Sequence, residues 1–180
     1  MGVHSENYEE ALLPHLDAAY NLARWLTRDA RDAEDVVQEA YLRALKHFDT
    51  FKGGDARPWL LKIVRNTFYT SIQRNRVAEA MTPFEEEEDT HVSDTPSPEM
   101  LLLKETDKQL VRRALRKLPT DFLEVIVLRE FEELSYNQIA DTVQVPVGTV
   151  MSRLARARGR LARMLREPDV MRLLSSAGAR

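Results

Sequence analysis

The sequence predicts an all-α chain of two small helical domains joined by a flexible acidic linker, the second domain ending in a helix-turn-helix. Three observations carry this. Apolar residues recur at helical spacing in most segments, and no convincing strand pattern or internal repeat interrupts them. One stretch without such a pattern, Val77 to Pro96, separates two that have it. The charge is also segregated. Residues 1–76 balance 11 basic against 11 acidic side chains, 77–99 carry eight acids and no base, and 100–180 carry 15 basic against 10 acidic, so the formal net charge of −3 hides a basic module. The expected divisions are 1–76, 77–96 and 97–180.

The first helix is expected over Asn7 to Thr27, with Asn7 and Glu10 as a capping box and Pro14 as a kink. The second starts after Asp32 and reaches Phe48. Ala33, Val36, Val37, Ala40, Tyr41, Ala44, Leu45 and Phe48 follow the i, i+3, i+4 pattern and are assigned to its core face. Leu42 is left over on the polar side beside Asp35, Gln38, Glu39 and Lys46. An apolar residue framed by polar ones suits the centre of a protein interface.

The loop from Asp49 to Arg57 contains Gly53-Gly54, which allow positive φ and close approach to a ligand, or simply a turn. The third helix begins near Asp55, tolerates Pro58 in its first turn and reaches Arg76. It presents Trp59, then Lys62, Arg65 and Tyr69 at i, i+3, i+7. Cations interleaved with aromatics suit single-stranded nucleic acid, where charge follows the backbone and rings stack on unpaired bases. Equally, Trp59 and Phe68 fit a core with solvated cations around it.

The segment Glu85-Glu-Glu-Glu-Asp89 reads as a solvated linker. Consecutive acids point in different directions and lack the alternating ligand spacing of a calcium loop. Ser97-Pro98-Glu99 is a helix start, with a capping serine, a proline in the first turn and an early acid; that helix ends at Leu118 before Pro119. Another covers Asp121 to Glu132.

Ser135 and Gln138 form a second capping box, so a short helix begins at Tyr136, and Val145-Pro146 breaks it. The following helix buries Val147, Val150, Leu154, Ala157, Leu161 and Leu165. Its other face holds Thr149, Ser152, Arg153, Arg156, Arg160 and Arg163, and no Asp or Glu occurs from Thr142 to Arg166. Like charges on one helix face oppose it unless a polyanion is present. In a helix-turn-helix the second helix enters the major groove, its first turns reading base edges and its flanking cations meeting phosphate. Pro168 stops this helix.

No catalytic set emerges. The chain has no cysteine, its four histidines lie in unrelated segments, and it has neither a phosphate-binding glycine loop nor a nucleophile elbow. Neither cofactor nor metal is expected. No apolar run approaches membrane-spanning length and the first ten residues are polar and acidic, so membrane insertion is not expected and a cytoplasmic location is. A stand-alone helix-turn-helix repressor or activator, whose first domain senses a signal or dimerises, is one reading of these residues.

Three stretches together resemble the extracytoplasmic-function group of bacterial sigma factors: Asp32 to Ala44, Phe51 to Asn66 including Trp59-Leu60, and Leu118-Pro119 through Leu161. The resemblance implies a promoter-specificity subunit, active in stress response, that binds core RNA polymerase at its clamp helices and flap. It implies that Asp35, Gln38, Glu39 and Leu42 dock on the clamp helices. Phe51, Lys52, Gly53, Gly54 and Asp55 match the loop that captures an unstacked −10 base, and Trp59, Lys62, Arg65 and Asn66 the melting segment. Thr149, Ser152, Arg153 and Arg156 match the −35 reader, with Arg160 behind them on the same face. An anti-sigma factor is an implied partner, and the linker is implied to thread the polymerase cleft. Thr70 stands where the family often has an acid, and Met151 where a basic residue is common.

Overall fold

The structure is a computed structural model. It describes the backbone of residues 3–81 and 102–166, with side-chain surroundings for residues 8–75 and 108–166. The described residues contain helices and turns and no strand. The helix expected to start at Asn7 already begins at Val3, while the start expected at Ser97, the run Glu85 to Asp89 and the stop at Pro168 lie outside the described residues.

Helix α1 (Val3–Leu12) is followed by a 3-10 turn, Leu13–His15, and by α2 (Leu16–Thr27). Pro14 lies in that turn, so the break expected of a proline is an interruption of the helix. Ala19, Leu22, Ala23 and Leu26 make the buried stripe of α2. Arg28 closes α2 in the left-handed conformation at φ 62°, its amide donating to the Arg24 carbonyl at 3.1 Å. Asp29 then caps α3 (Ala30–Lys46), its carboxylate accepting from the Arg31 and Asp32 amides at 2.7 and 3.1 Å.

Helix α3 buries Ala33, Val36, Val37, Ala40 and Ala44, while Tyr41 and Phe48 lie half-buried at the edge of the core. Leu45 departs from the expected face: it is 52% exposed. Tyr41 donates its hydroxyl to the Leu12 carbonyl at 2.9 Å, and the buried stripe continues through Ala44 rather than Leu45. Helix α4 (Ala56–Met81) runs five residues past the expected end at Arg76 and is ~39 Å long. Ala56, Leu60, Leu61, Val64 and Phe68 are its buried residues, and the helix packs on α2, α3 and α7.

The C-terminal helices are α5 (Leu102–Arg116), α6 (Thr120–Ile126), α7 (Tyr136–Val143) and α8 (Val147–Arg166). Pro119 supplies the carbonyl that closes the first turn of α6, accepting from Phe122 and Leu123 at 2.9 Å each. One π turn, Val127–Phe131, prolongs α6, and the Glu132 amide reaches back to Val127 at 3.1 Å. The capping box of α7 is formed: the Gln138 amide donates to Ser135 Oγ at 3.2 Å, and the Ser135 amide to Gln138 Oε1 at 2.8 Å. Gln144, at φ 58°, ends α7, and the Pro146 carbonyl starts α8 by accepting from Thr149 and Val150. Val150, Leu154 and Ala157 are the buried stripe of α8, packed on α5, α6 and α7.

The two halves share one hydrophobic core. Helix α4 packs on α7 and α2 packs on α6, so Leu60 and Leu22 belong to the same buried cluster as Leu123 and Ile139.

Candidate nucleic-acid interface

On α8 the predicted readers divide into two groups. Ser152, Arg156 and Arg160 are exposed and Thr149 is partly so, giving a polar, cationic face across the first four turns. Arg160 lies over the Phe122 ring at 5.1 Å, which holds its stem along the surface. Arg153 differs. Its side chain is 20% exposed, and Nη2 meets Asp121 at 3.0 Å while Nη1 lies 3.6 Å from Glu124. Arg158, on the flank, pairs with Glu130 at 2.6 Å. The arginine helix lacks acids of its own, but neighbouring helices supply them.

The predicted −10 and melting residues form two structural groups. Phe51 and Trp59 meet at a tilt, 5.4 Å between centroids; Phe48 lies 5.6 Å from Phe51 and 6.2 Å edge-on from Trp59, with Tyr8 edge-on to Phe48. Both rings are half-buried at the edge of the core, whereas Phe68 is fully inside it. Beside this cluster Lys52, Gly53, Gly54 and Asp55 are exposed, the glycines at φ 83° and 87° in a conformation a β-carbon would strain. The second group lies along α4. Lys62 pairs with Asp141 of α7 at 3.1 Å. Arg65 forks onto Glu124 of α6, with Nε at 2.8 Å and Nη2 at 3.2 Å. Asn66 lies beside them, partly exposed.

Glu124 is 0% exposed. Burial pushes its carboxyl above the usual range, and hydrogen bonding from Arg65 and from Tyr69, whose hydroxyl donates to it at 3.2 Å, pulls in the other direction. The Tyr69 hydroxyl is itself pushed up to about 12, first by burial and then by the Glu124 charge, so it stays a donor at any physiological pH. A second carboxylate, Glu132, is nearly as buried. Arg57 donates to its carboxylate at 2.9 Å and also to its backbone carbonyl, and Asn21 donates to Oε1 at 2.6 Å.

Periodicity did not single out Glu124, Glu132, Asp121 or Asp141. A signal existed for the first: Glu124 is the one charged residue within the apolar run Phe122 to Leu128, and a buried carboxylate requires a cationic partner.

The residues expected to dock on a partner lie on α3, away from these pairs. Asp35 and Gln38 are exposed, Glu39 is partly exposed and pairs with Arg43 at 2.8 Å, and Leu42 is 63% exposed. The leucine therefore stands on the polar face, as expected.

Comparison with known proteins agrees with both halves. The family model for Sigma-70 region 2 matches residues 12–77, and that for Sigma-70 region 4 matches 108–161. The RNA polymerase sigma-H factor of Pseudomonas aeruginosa is 37% identical over 137 residues, covering 72% of this chain and 71% of that protein. The ECF RNA polymerase sigma-E factor of Escherichia coli K12 is 39% identical over 134 residues, covering 71% and 70%. Among solved structures, the sigma factor RpoE of Bartonella quintana, determined in complex with the anti-sigma factor NepR, superposes with a TM-score of 0.68 at 29% identity, over 91% of this chain and 99% of that one. An all-helical chain carrying both regions in this order is a sigma factor in class. It belongs to the extracytoplasmic-function group of the sigma-70 family. A stand-alone helix-turn-helix regulator is not favoured, because region 2 precedes the helix-turn-helix.

Proposed function

We propose that the chain directs promoter-specific initiation by a division of labour between its two regions. Residues 1–76 form a unit that docks on core RNA polymerase and handles the −10 element, residues 77–96 link, and residues 97–180 form the unit that holds the −35 element. Asp35, Gln38, Glu39 and Leu42 supply the polymerase surface. Phe51 to Asp55 capture a −10 base, and Trp59, Lys62, Arg65 and Asn66 follow the opened strand. Thr149, Ser152, Arg153, Arg156 and Arg160 meet the −35 duplex.

The chain performs no chemistry of its own on this reading; polymerase supplies the catalysis, in the cytoplasm. Strand opening is driven by binding flipped bases, which offsets an unstacking cost of a few kcal/mol per step. A regulatory partner of the kind seen with the Bartonella relative, an anti-sigma factor, is part of the proposal.

One observation carries the docking assignment: a leucine 63% exposed on α3, with Leu45 at 52% exposure three residues on and Asp35, Gln38 and Glu39 beside them. An apolar centre with an acidic and amide rim is the anatomy of a protein interface. Replacing Leu42 by Asp is expected to abolish co-purification with core polymerase at micromolar concentration while helicity stays at the wild-type level. Loss of helicity, or retained polymerase binding, contradicts the assignment.

A further inference from the structure

We infer that Glu124 is an internal competitor for nucleic acid: one carboxylate on α6 that, in the free protein, occupies an arginine of the melting segment and an arginine of the recognition helix together. The inference rests on the roles proposed above for Arg65 and Arg153. It adds the device that keeps Arg65 from DNA until α4 separates from α6, while Arg153 is held by acids of α6 within the C-terminal helices themselves.

The geometry is specific. Arg65 Nε and Nη2 lie 2.8 and 3.2 Å from the two oxygens of Glu124, the forked arrangement a guanidinium also makes with a phosphate. Arg153 Nη1 approaches the same carboxylate at 3.6 Å and takes Asp121 at 3.0 Å with its other terminal nitrogen. The pattern continues along α4, where Asp141 holds Lys62 at 3.1 Å and Glu132 holds Arg57 at 2.9 Å. Three cations of α4 thus each face an acid from the C-terminal helices.

The energetics suit a contact that must be broken. Burying a carboxylate costs it its hydration, and its attraction to arginine does little more than offset that cost. Such a pair specifies an arrangement without adding much net stability. Arg65 and Arg153 keep 15% and 20% side-chain exposure, so an approaching phosphate meets them at the rim of the contact. A strand of DNA supplies several phosphates against one carboxylate, and releases counterions as it binds.

The test uses the full chain and a fluorescent single-stranded oligonucleotide of random sequence, read by anisotropy at low salt without polymerase. Glu124→Gln keeps the side-chain volume and removes the charge. It is expected to bind the strand about tenfold tighter than wild type, with unchanged helicity. Arg65→Gln is expected to remove most of the gain in the Glu124→Gln background and to lower wild-type binding by a much smaller factor, a coupling that simple loss of charge does not produce. Equal binding by wild type and Glu124→Gln, or an equal effect of Arg65→Gln in both backgrounds, overturns the inference.

If Glu124→Gln unfolds, a reversible lock replaces it. The chain has no cysteine, so Asn21→Cys with Glu132→Cys, bridged by a short reducible thiol cross-linker, fixes the two halves together. The locked form is expected to bind the strand at least tenfold more weakly than the same protein after reduction, and equal binding again overturns the inference. Because polymerase is absent from these assays, their failure leaves the promoter-specificity reading standing, and failure of promoter-dependent transcription would leave a positive result here intact.

Discussion

Arg65 of α4 and Glu124 of α6, 59 positions apart in sequence, meet as a forked ion pair on a carboxylate with no solvent exposure. The pair joins the segment matched by region 2 to that matched by region 4. It also fixes how acidity acts on this contact.

Burial raises the Glu124 carboxyl in the folded state, with Arg65 and Tyr69 opposing. A carboxyl raised on folding takes up its proton in the native state first. Its contribution to stability therefore increases as pH falls from its folded value toward its unfolded one, and is constant below both. Asp29 behaves oppositely. Its amide hydrogen bonds from Asp32 and Arg31 lower it, so its stabilising contribution is present above the ordinary carboxylate range and lost as pH falls through its lowered value. In urea titrations between pH 7 and pH 3, Glu124→Gln is expected to lose the stabilising component seen on mild acidification. A wild-type and Glu124→Gln difference that stays constant over that range contradicts the assignment.

The exposed face of α8 is expected to act through phosphate. Arg156→Ala and Arg160→Ala, in the polymerase complex, should each weaken promoter binding and lower the slope of log K against log salt by about 1. Arg153→Ala should differ by also removing its pairs with Asp121 and Glu124. Salt-dependent binding together with urea midpoints for the three variants separates these behaviours.

The turn before α7 is held by reciprocal bonds between Ser135 and Gln138. Ser135→Ala should cost about 1 kcal/mol of unfolding free energy. Because α7 packs on both α4 and α8, the loss should appear in the single unfolding transition of the shared core, measurable by urea denaturation followed by circular dichroism.

The faces of α3 and α2 make a further comparison. Leu45 is 52% exposed and Leu22 is 1% exposed. Leu45→Ala is expected to change stability by less than about 0.5 kcal/mol, whereas Leu22→Ala should cost about 2–5 kcal/mol. Thermal or urea denaturation of the two variants distinguishes a core leucine from a surface one.

Much of this was legible in the sequence for a physical reason. Helix starts are written locally, so the capping box at Ser135, the break at Val145-Pro146 and the interruption at Pro14 could be placed from a few adjacent residues. Leu42 was legible because it broke an otherwise regular pattern. Leu45 was not, because the i, i+3, i+4 rule gives a stripe but not its width, and the buried stripe of α3 runs through Ala40 and Ala44. The pairing of Lys62, Arg65 and Arg153 was hidden for a different reason. Their partners lie on other helices, and the packing of α4 on α7, of α2 on α6 and of α6 on α8 brings those acids within reach. The arginine face of α8 looked unopposed because periodicity reads one helix at a time.

The central claim is that this chain gives core RNA polymerase its promoter choice through both regions. Run-off transcription from a randomised promoter library, with core polymerase and this chain as the only specificity subunit, tests it most directly. Transcripts are expected to come from a small set of templates sharing two spaced elements, to vanish with Leu42→Asp, and to lose their upstream preference with Arg156→Ala combined with Arg160→Ala. Transcription no more selective than that of core polymerase alone would contradict the account.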